Sequence, residues 1–174
     1  MKDVKNIARV RKWQRQQKAK GLCIECSSTA NGLRCDACNK RRAKLRKENY
    51  NKWKEQGKCC QCGRDAIVKK LVCEIHYLKQ VSFDRLGTSK YWKELKQLME
   101  NQNHRCALTG DELSFDKGIE LDHIKPTNRG GTDELSNVQW VTKQVNGFKS
   151  DRTQEELFIL CNKIVTTIKN KEQS

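Results

Sequence analysis

Apolar residues are sparse along this chain, and they gather in short stripes with helical spacing. Trp92, Leu95, Leu98 and Met99 recur at three- and four-residue intervals and predict a helix from Thr88 or Ser89, as N-cap, through about Asn101. Leu157, Leu160, Ile164 and Ile168 repeat the pattern after Thr153-Gln-Glu-Glu156, where a hydroxyl and a carboxylate three residues apart make a capping box. This last stripe is expected to pack inward and to bury Cys161 as a small core residue. Asn39 to Gln56 holds neither Gly nor Pro, places Leu45 and Trp53 on one face and ends before Gly57, a plausible C-cap. Two more helices are expected, from about Val4 to Lys20 before Gly21 and from His76 to Leu86 before Gly87.

Charge divides the 174 residues in two. Residues 1–87 carry 23 Lys+Arg against 8 Asp+Glu, whereas residues 88–174 carry 13 against 13, so the whole net charge of +15 lies in the first half. Such polarity suits a front half that neutralises phosphates. Lys40, Arg41, Arg42, Lys44, Arg46 and Lys47 crowd one helical segment and are its expected DNA contacts. The domain boundary is placed near Gly87, giving a basic region, 1–87, and a second domain, 88–174.

Hydrophobic residues make up 36% of the chain and include ten cysteines, too little aliphatic material for the front half to hold a core unaided. No apolar run of leader or membrane-spanning length is present, so a reducing, cytoplasmic setting is expected, where paired cysteines bind zinc rather than form disulfides. Cys23-x2-Cys26 with Cys35-x2-Cys38, and Cys59-x2-Cys62 with Cys73-x2-His76, form an internal repeat, about 21–38 and 57–76. Each set fills the four positions of tetrahedral zinc, which predicts two structural zinc ions in ribbon or knuckle units. Cys60 adjoins Cys59 and is the alternative ligand there. Cys106-x2-Thr109-Gly110 reads as half of a third knuckle with one ligand missing, and no zinc is expected at it.

The chemistry-bearing stretch is Glu120-Leu-Asp-His-Ile-Lys-Pro126, with Asn137 fourteen residues after His123, Asn146 nine residues later, and then Lys149-Ser-Asp151. Phosphodiester hydrolysis needs a base for water and hard oxygen ligands for a divalent cation, which these residue types supply. An imidazole is largely neutral at physiological pH and can accept a proton. Over about residues 90–165 the pattern resembles the HNH, or ββα-metal, nucleases in a variant whose third letter is Asn. Its spacing is similar to the HNH domain of RNA-guided CRISPR effector nucleases, and Gly130-Gly131 resembles phage and homing enzymes.

The resemblance implies a strand ending near Asp122-His123-Ile124, a loop from Lys125 to Ser136, a returning strand at Val138-Gln-Trp-Val141 and a short helix capped by Thr142 that carries Asn146. It implies His123 as general base, Asn137 as a brace for the loop and the base, and Asp122 and Asn146 as ligands of one Mg²⁺ or Mn²⁺. Arg129 and Lys149 are candidate phosphate contacts, with surface ion pairs as the alternative. The expected protein is α+β: zinc-stapled repeats joined by basic helices, then a C-terminal ββα-metal domain. The expected function is a DNA endonuclease acting on double-stranded DNA as a monomer, first of all a homing enzyme of a mobile element. The alternatives are a restriction or other phage nuclease, or a non-catalytic zinc-ribbon nucleic-acid-binding regulator.

Overall fold

The structure, a computed structural model, describes residues 4–67, 70–115 and 117–172. Met1 to Asp3, the head of the segment read for a leader, lies outside them. The chain is α+β, with six helices among the described residues: α1 (Val4–Ala19), α2 (Asp36–Glu55), α3 (Glu74–Leu86), α4 (Trp92–Asn101), α5 (Lys143–Lys149) and α6 (Gln154–Glu172). A two-stranded sheet pairs β1 (Ile119–His123) antiparallel with β2 (Val138–Thr142). No helix of the described residues is long and apolar enough to cross a membrane.

One turn is built three times. Isolated bridges join Leu22 to Thr29, Lys58 to Asp65 and Arg105 to Glu112. Inside each, the amide of a cysteine donates to the carbonyl five residues on: Cys23 to Ser28 at 2.8 Å, Cys59 to Arg64 at 2.8 Å, Cys106 to Asp111 at 2.7 Å. The reversal needs a left-handed residue four positions after the cysteine, supplied by Ser27, Gly63 and Gly110, and another two positions before it, supplied by Gly21, Gly57 and His104. Each turn is also completed by a helix N-terminus. Cys35 and Cys73 are the N-caps of α2 and α3, with Cys38 and His76 in the first turn, and Thr142 is the N-cap of α5, with Val145 at the same offset. These ligand pairs start α2 at Asp36 and α3 at Glu74, earlier than helical periodicity alone suggests.

The first two copies converge on thiols and an imidazole, the third on apolar packing. Cys106 is buried among Leu78, Leu86, Leu95, Met99, Leu121, Val138 and Trp140. Trp140 is wholly buried, its indole N–H donates to the Leu95 carbonyl at 2.9 Å, and its backbone is bracketed by the Gln102 amide, which donates to the carbonyl and accepts from the N–H at 2.9 Å each. Tyr77 on α3 donates to the Ile119 carbonyl at 3.0 Å and meets Phe115 edge-on.

Two compact units result, Met1–Gln56 and Gly57–Ser174. The division falls at Gly57 rather than near Gly87 because α3, whose start belongs to the second cysteine set, buries Leu78 and Leu86 in the same core as α4 and the hairpin. The stripe on α6 also differs from expectation. Its capping box forms, with the Glu156 amide donating to Thr153 Oγ1 and the Thr153 amide to Glu156 Oε2, yet Leu157 is the one buried residue of the helix. Cys161 is half-buried and Ile164 and Ile168 lie exposed, because α3 and α4 already cover the core that the stripe was expected to fill.

Candidate functional site

Two cysteine-rich sets each bring four candidate ligands together. The ligand atoms of Cys23, Cys26, Cys35 and Cys38 lie within 4.8 Å of one another, as do those of Cys59, Cys62, Cys73 and His76. Cys26 and Cys35 sulfurs stand 3.5 Å apart, Cys62 and Cys73 3.7 Å, and His76 Nδ1 is 3.3 Å from both Cys59 and Cys73. A tetrahedron with Zn–S bonds of ~2.3 Å has edges of ~3.8 Å, so both clusters could hold structural zinc. Burial pushes the Cys23 thiol up, but the amides of Cys35, Glu25 and Cys26 outweigh it and hold the group at about 6. Burial likewise opposes the amides of Cys73 and Gln61 at Cys59, which also settles at about 6. Each set therefore contains a sulfur prepared to lose its proton. Cys60 stands outside the second set, its thiol turned to the Lys58 carbonyl.

The basic segment of α2 is not uniformly free. Glu25, between two ligands of the first set, accepts from Arg34, from Arg41 at 3.0 Å and from Arg42 at 3.0 Å, and these guanidiniums hold its carboxyl at about 2. Arg41 and Arg42 therefore brace the first turn while their side chains stay largely exposed. Lys44 lies 4.0 Å from Glu48, while Lys40, Arg46 and Lys47 are exposed.

On the second unit, β1, α5 and the loop after β1 surround one cavity of about 320 Å³, lined by Asp122, His123, Asn146 and Lys149 and by Arg85 from α3. Asp122 is buried at the end of β1, opposite Gln139 in the sheet register. Gln139 donates to its Oδ2 at 2.9 Å and Lys149 to its Oδ1 at 3.0 Å. The Lys149 ammonium also donates to the His123 carbonyl at 2.7 Å. Lys149 is thus neither a phosphate contact nor a surface ion pair, because the geometry of α5 turns it inward to neutralise Asp122. The Asn146 amide donates to Glu120, two residues before Asp122 on β1, which leaves its carbonyl oxygen as the free end.

His123 Nε2 lies 3.0 Å from Asp133 Oδ1, at ion-pair distance but off a hydrogen-bonding line. Asn137 spends its amide on the loop, donating to the carbonyls of Lys125 at 3.0 Å and Thr132 at 2.8 Å and accepting from the Lys125 N–H at 2.9 Å. Gly131 is required beside it, since a Cβ there would fall 1.9 Å from the Lys125 carbonyl oxygen. Arg129 is held on the surface by Glu156 at 2.7 Å and Asp151 at 3.9 Å.

Comparison with protein-family models and with curated proteins finds no match. Sequence reasoning missed Arg85, Glu120 and Asp133. Arg85 sits some forty residues before the motif on a helix assigned to another domain, and Glu120 and Asp133 act only through residues they touch.

Proposed function

We propose that this chain is a divalent-metal-dependent endonuclease of the ββα-metal kind, acting on DNA. The observation that carries the reading is the single cavity in which Asp122, His123 and Asn146 meet, with an arginine at its rim. The donor set fits Mg²⁺ or Mn²⁺: Asp122 offers carboxylate oxygen and Asn146 an amide oxygen left open by Glu120, and such ions take one or two protein ligands and complete their shell with phosphate and water. Bound there, the ion would offset charge on the phosphate and on the leaving oxygen.

The residues do the rest. Lys149 and Gln139 fix the Asp122 rotamer, so the carboxylate is oriented before substrate arrives. Asp133, beside Nε2 of His123, stabilises the imidazolium and leaves the other ring nitrogen to take a proton from water. Water oxygen bonds to phosphorus, its proton passes to His123, the P–O3′ bond breaks, and the 3′ oxygen takes a proton from solvent. The products are 5′-phosphate and 3′-hydroxyl ends. Arg85 meets a non-bridging phosphate oxygen, and Lys40, Arg46 and Lys47 supply sequence-independent phosphate contacts elsewhere.

A nicking assay on supercoiled plasmid tests this: zinc-loaded protein should relax the plasmid with Mg²⁺ or Mn²⁺ and stop with EDTA, and His123→Ala should lose cleavage while binding nearly as well. A second reading, nucleic-acid binding without hydrolysis, is favoured by the Lys149 ammonium that already neutralises Asp122. Protein that binds DNA in a salt-sensitive manner yet never nicks it would establish that reading instead.

A further inference from the structure

A second cavity, of about 330 Å³, adjoins the first and shares Arg85 with it. The same three elements line both. On β1, Glu120 borders the second cavity and Asp122 the first, successive positions on one face of the strand and about 6.6 Å apart by its rise. On α5, Lys143 stands one turn before Asn146, and on α3, Tyr77, Val81 and Arg85 follow at four-residue steps. The two cavities are consecutive segments of one groove.

The second segment is cationic. Lys70, Arg85 and Lys143 line it with Asp84 and Glu120, and both carboxylates already accept from an amide, Asp84 from Gln80 at 2.8 Å and Glu120 from Asn146. Among the described residues none of the three cations forms an ion pair, whereas Lys96, Arg129 and Lys149 of the same unit each do. The two lysines are nevertheless held in place. Lys70 Nζ lies 4.4 Å from the centre of the Tyr77 ring, which is fixed by its hydroxyl on the Ile119 carbonyl and by Phe115 edge-on. The stem of Lys143 runs past Gly118, where an added Cβ would lie 3.4 Å from Lys143 Cβ. Buried Ile119 and Leu121 line the same cavity and lower the local dielectric, which strengthens the pull on an anion.

We propose that this cavity seats the phosphate next to the one being cut, on the same DNA strand, with Lys70 and Lys143 as its contacts. The step of about 6.6 Å between Asp122 and Glu120 is of the size that separates neighbouring phosphates. Arg85, common to both cavities, spans the pair. This placement rests on the nuclease reading, since Asp122 and His123 define which phosphate is attacked, and it makes two consecutive phosphates the unit recognised.

Fluorescence anisotropy of a short labelled duplex of random sequence, with zinc-loaded full chain and no added magnesium, gives the slope of log affinity against log salt. Lys70→Gln with Lys143→Gln should reduce that slope by about 1, the loss of one neutralised phosphate. Lys70→Arg with Lys143→Arg should restore it, and Lys163→Gln with Lys171→Gln, exposed on α6, should leave it unchanged. In the nicking assay the first pair should raise KM several-fold with kcat kept. An unchanged slope in that pair, an equal fall in the α6 pair, or a loss of kcat without a change in KM overturns the proposal. Wild type that never nicks while the slope still falls refutes the nuclease reading and supports the phosphate seat. Wild type that nicks while the lysine pair alters neither slope nor KM does the reverse, and wild type that binds no DNA defeats both.

Discussion

The ammonium of Lys149 stands 3.0 Å from Asp122 Oδ1, with both side chains almost wholly withdrawn from solvent, at 1% and 6% exposure. The pair ties the last residue of α5 to the end of β1, and it fixes the carboxylate on which the proposed chemistry depends. Removing one partner of such a pair strands a buried charge, which costs far more than the pair itself contributes.

Lys149→Met should accordingly lower stability by about 3 kcal/mol, and adding Asp122→Asn should recover much of that loss. Urea unfolding of the zinc-loaded protein measures both. A double variant no more stable than Lys149→Met would show that the two groups are not coupled.

Arg85 reaches the cavity from α3, outside the motif that names the other residues. If its guanidinium meets the phosphate as charge develops, Arg85→Ala should lower kcat and kcat/KM together by roughly 10²-fold, and Arg85→Lys should retain part of the rate. A rise in KM with kcat unchanged would reduce Arg85 to a docking contact. Failure of the wild type to nick DNA would instead count against the nuclease reading as a whole.

The second cysteine set belongs to the same core as the cavity, since Cys73 is the N-cap of α3, which buries Leu78 and Leu86 beside Trp140. Cys73→Ser, or chelation, should therefore do more than loosen a local turn. The expected result is loss of the near-ultraviolet circular dichroism of the buried Trp140 together with a broad, low-temperature unfolding transition. An unchanged aromatic signal after metal loss would separate the cluster from the core.

Gly131 is the tightest backbone approach at the site. Gly131→Ala would drive a methyl into the Lys125 carbonyl and break the hold of Asn137 on Lys125 and Thr132. A loss of about 2 kcal/mol is expected, in the range of single changes that create overpacking, along with faster hydrogen exchange confined to residues 124–132. Protection unchanged in that loop would rule out the proposed role of Asn137 as its brace.

Legibility followed the range of the interactions. Cys23-x2-Cys26 and its partners could be read directly, because four ligands at fixed short spacing leave few geometries. The capping box at Thr153 and the stripe on α4 were equally plain. The fate of Arg41 and Arg42 was not, since their tie to Glu25 depends on a turn that brings residues sixteen and seventeen apart together. Lys149 follows the same rule: charge predicts exposure, but the α5 geometry and a buried Asp122 override it. The stripe of α6 matched a core helix in pattern alone, and nothing in the pattern told that the core was already full.

The third copy of the turn was half legible, and it permits the sharpest test of the repeat. Cys106-x2-Thr109 reads as half of a knuckle with one ligand missing, but the second half, Thr142-x2-Val145, carries no cysteine to mark it. Burial pushes the Cys106 thiol up, but the Thr109 side chain and the backbone of Leu108 and Thr142 outweigh it and hold the group below its ordinary value. Cys106 packs instead into the core around Trp140. Thr109→Cys, Thr142→Cys and Val145→Cys together should therefore create a third site. Loss of the Thr142 hydroxyl cap should be tolerated, since Cys35 and Cys73 cap α2 and α3 with no side-chain hydrogen bond. The triple variant should take up one more zinc than the wild type and show thiolate-to-cobalt charge transfer that disappears with Cys106→Ser. Equal metal content in variant and wild type would mean that the third turn shares the backbone of the other two without their converging geometry.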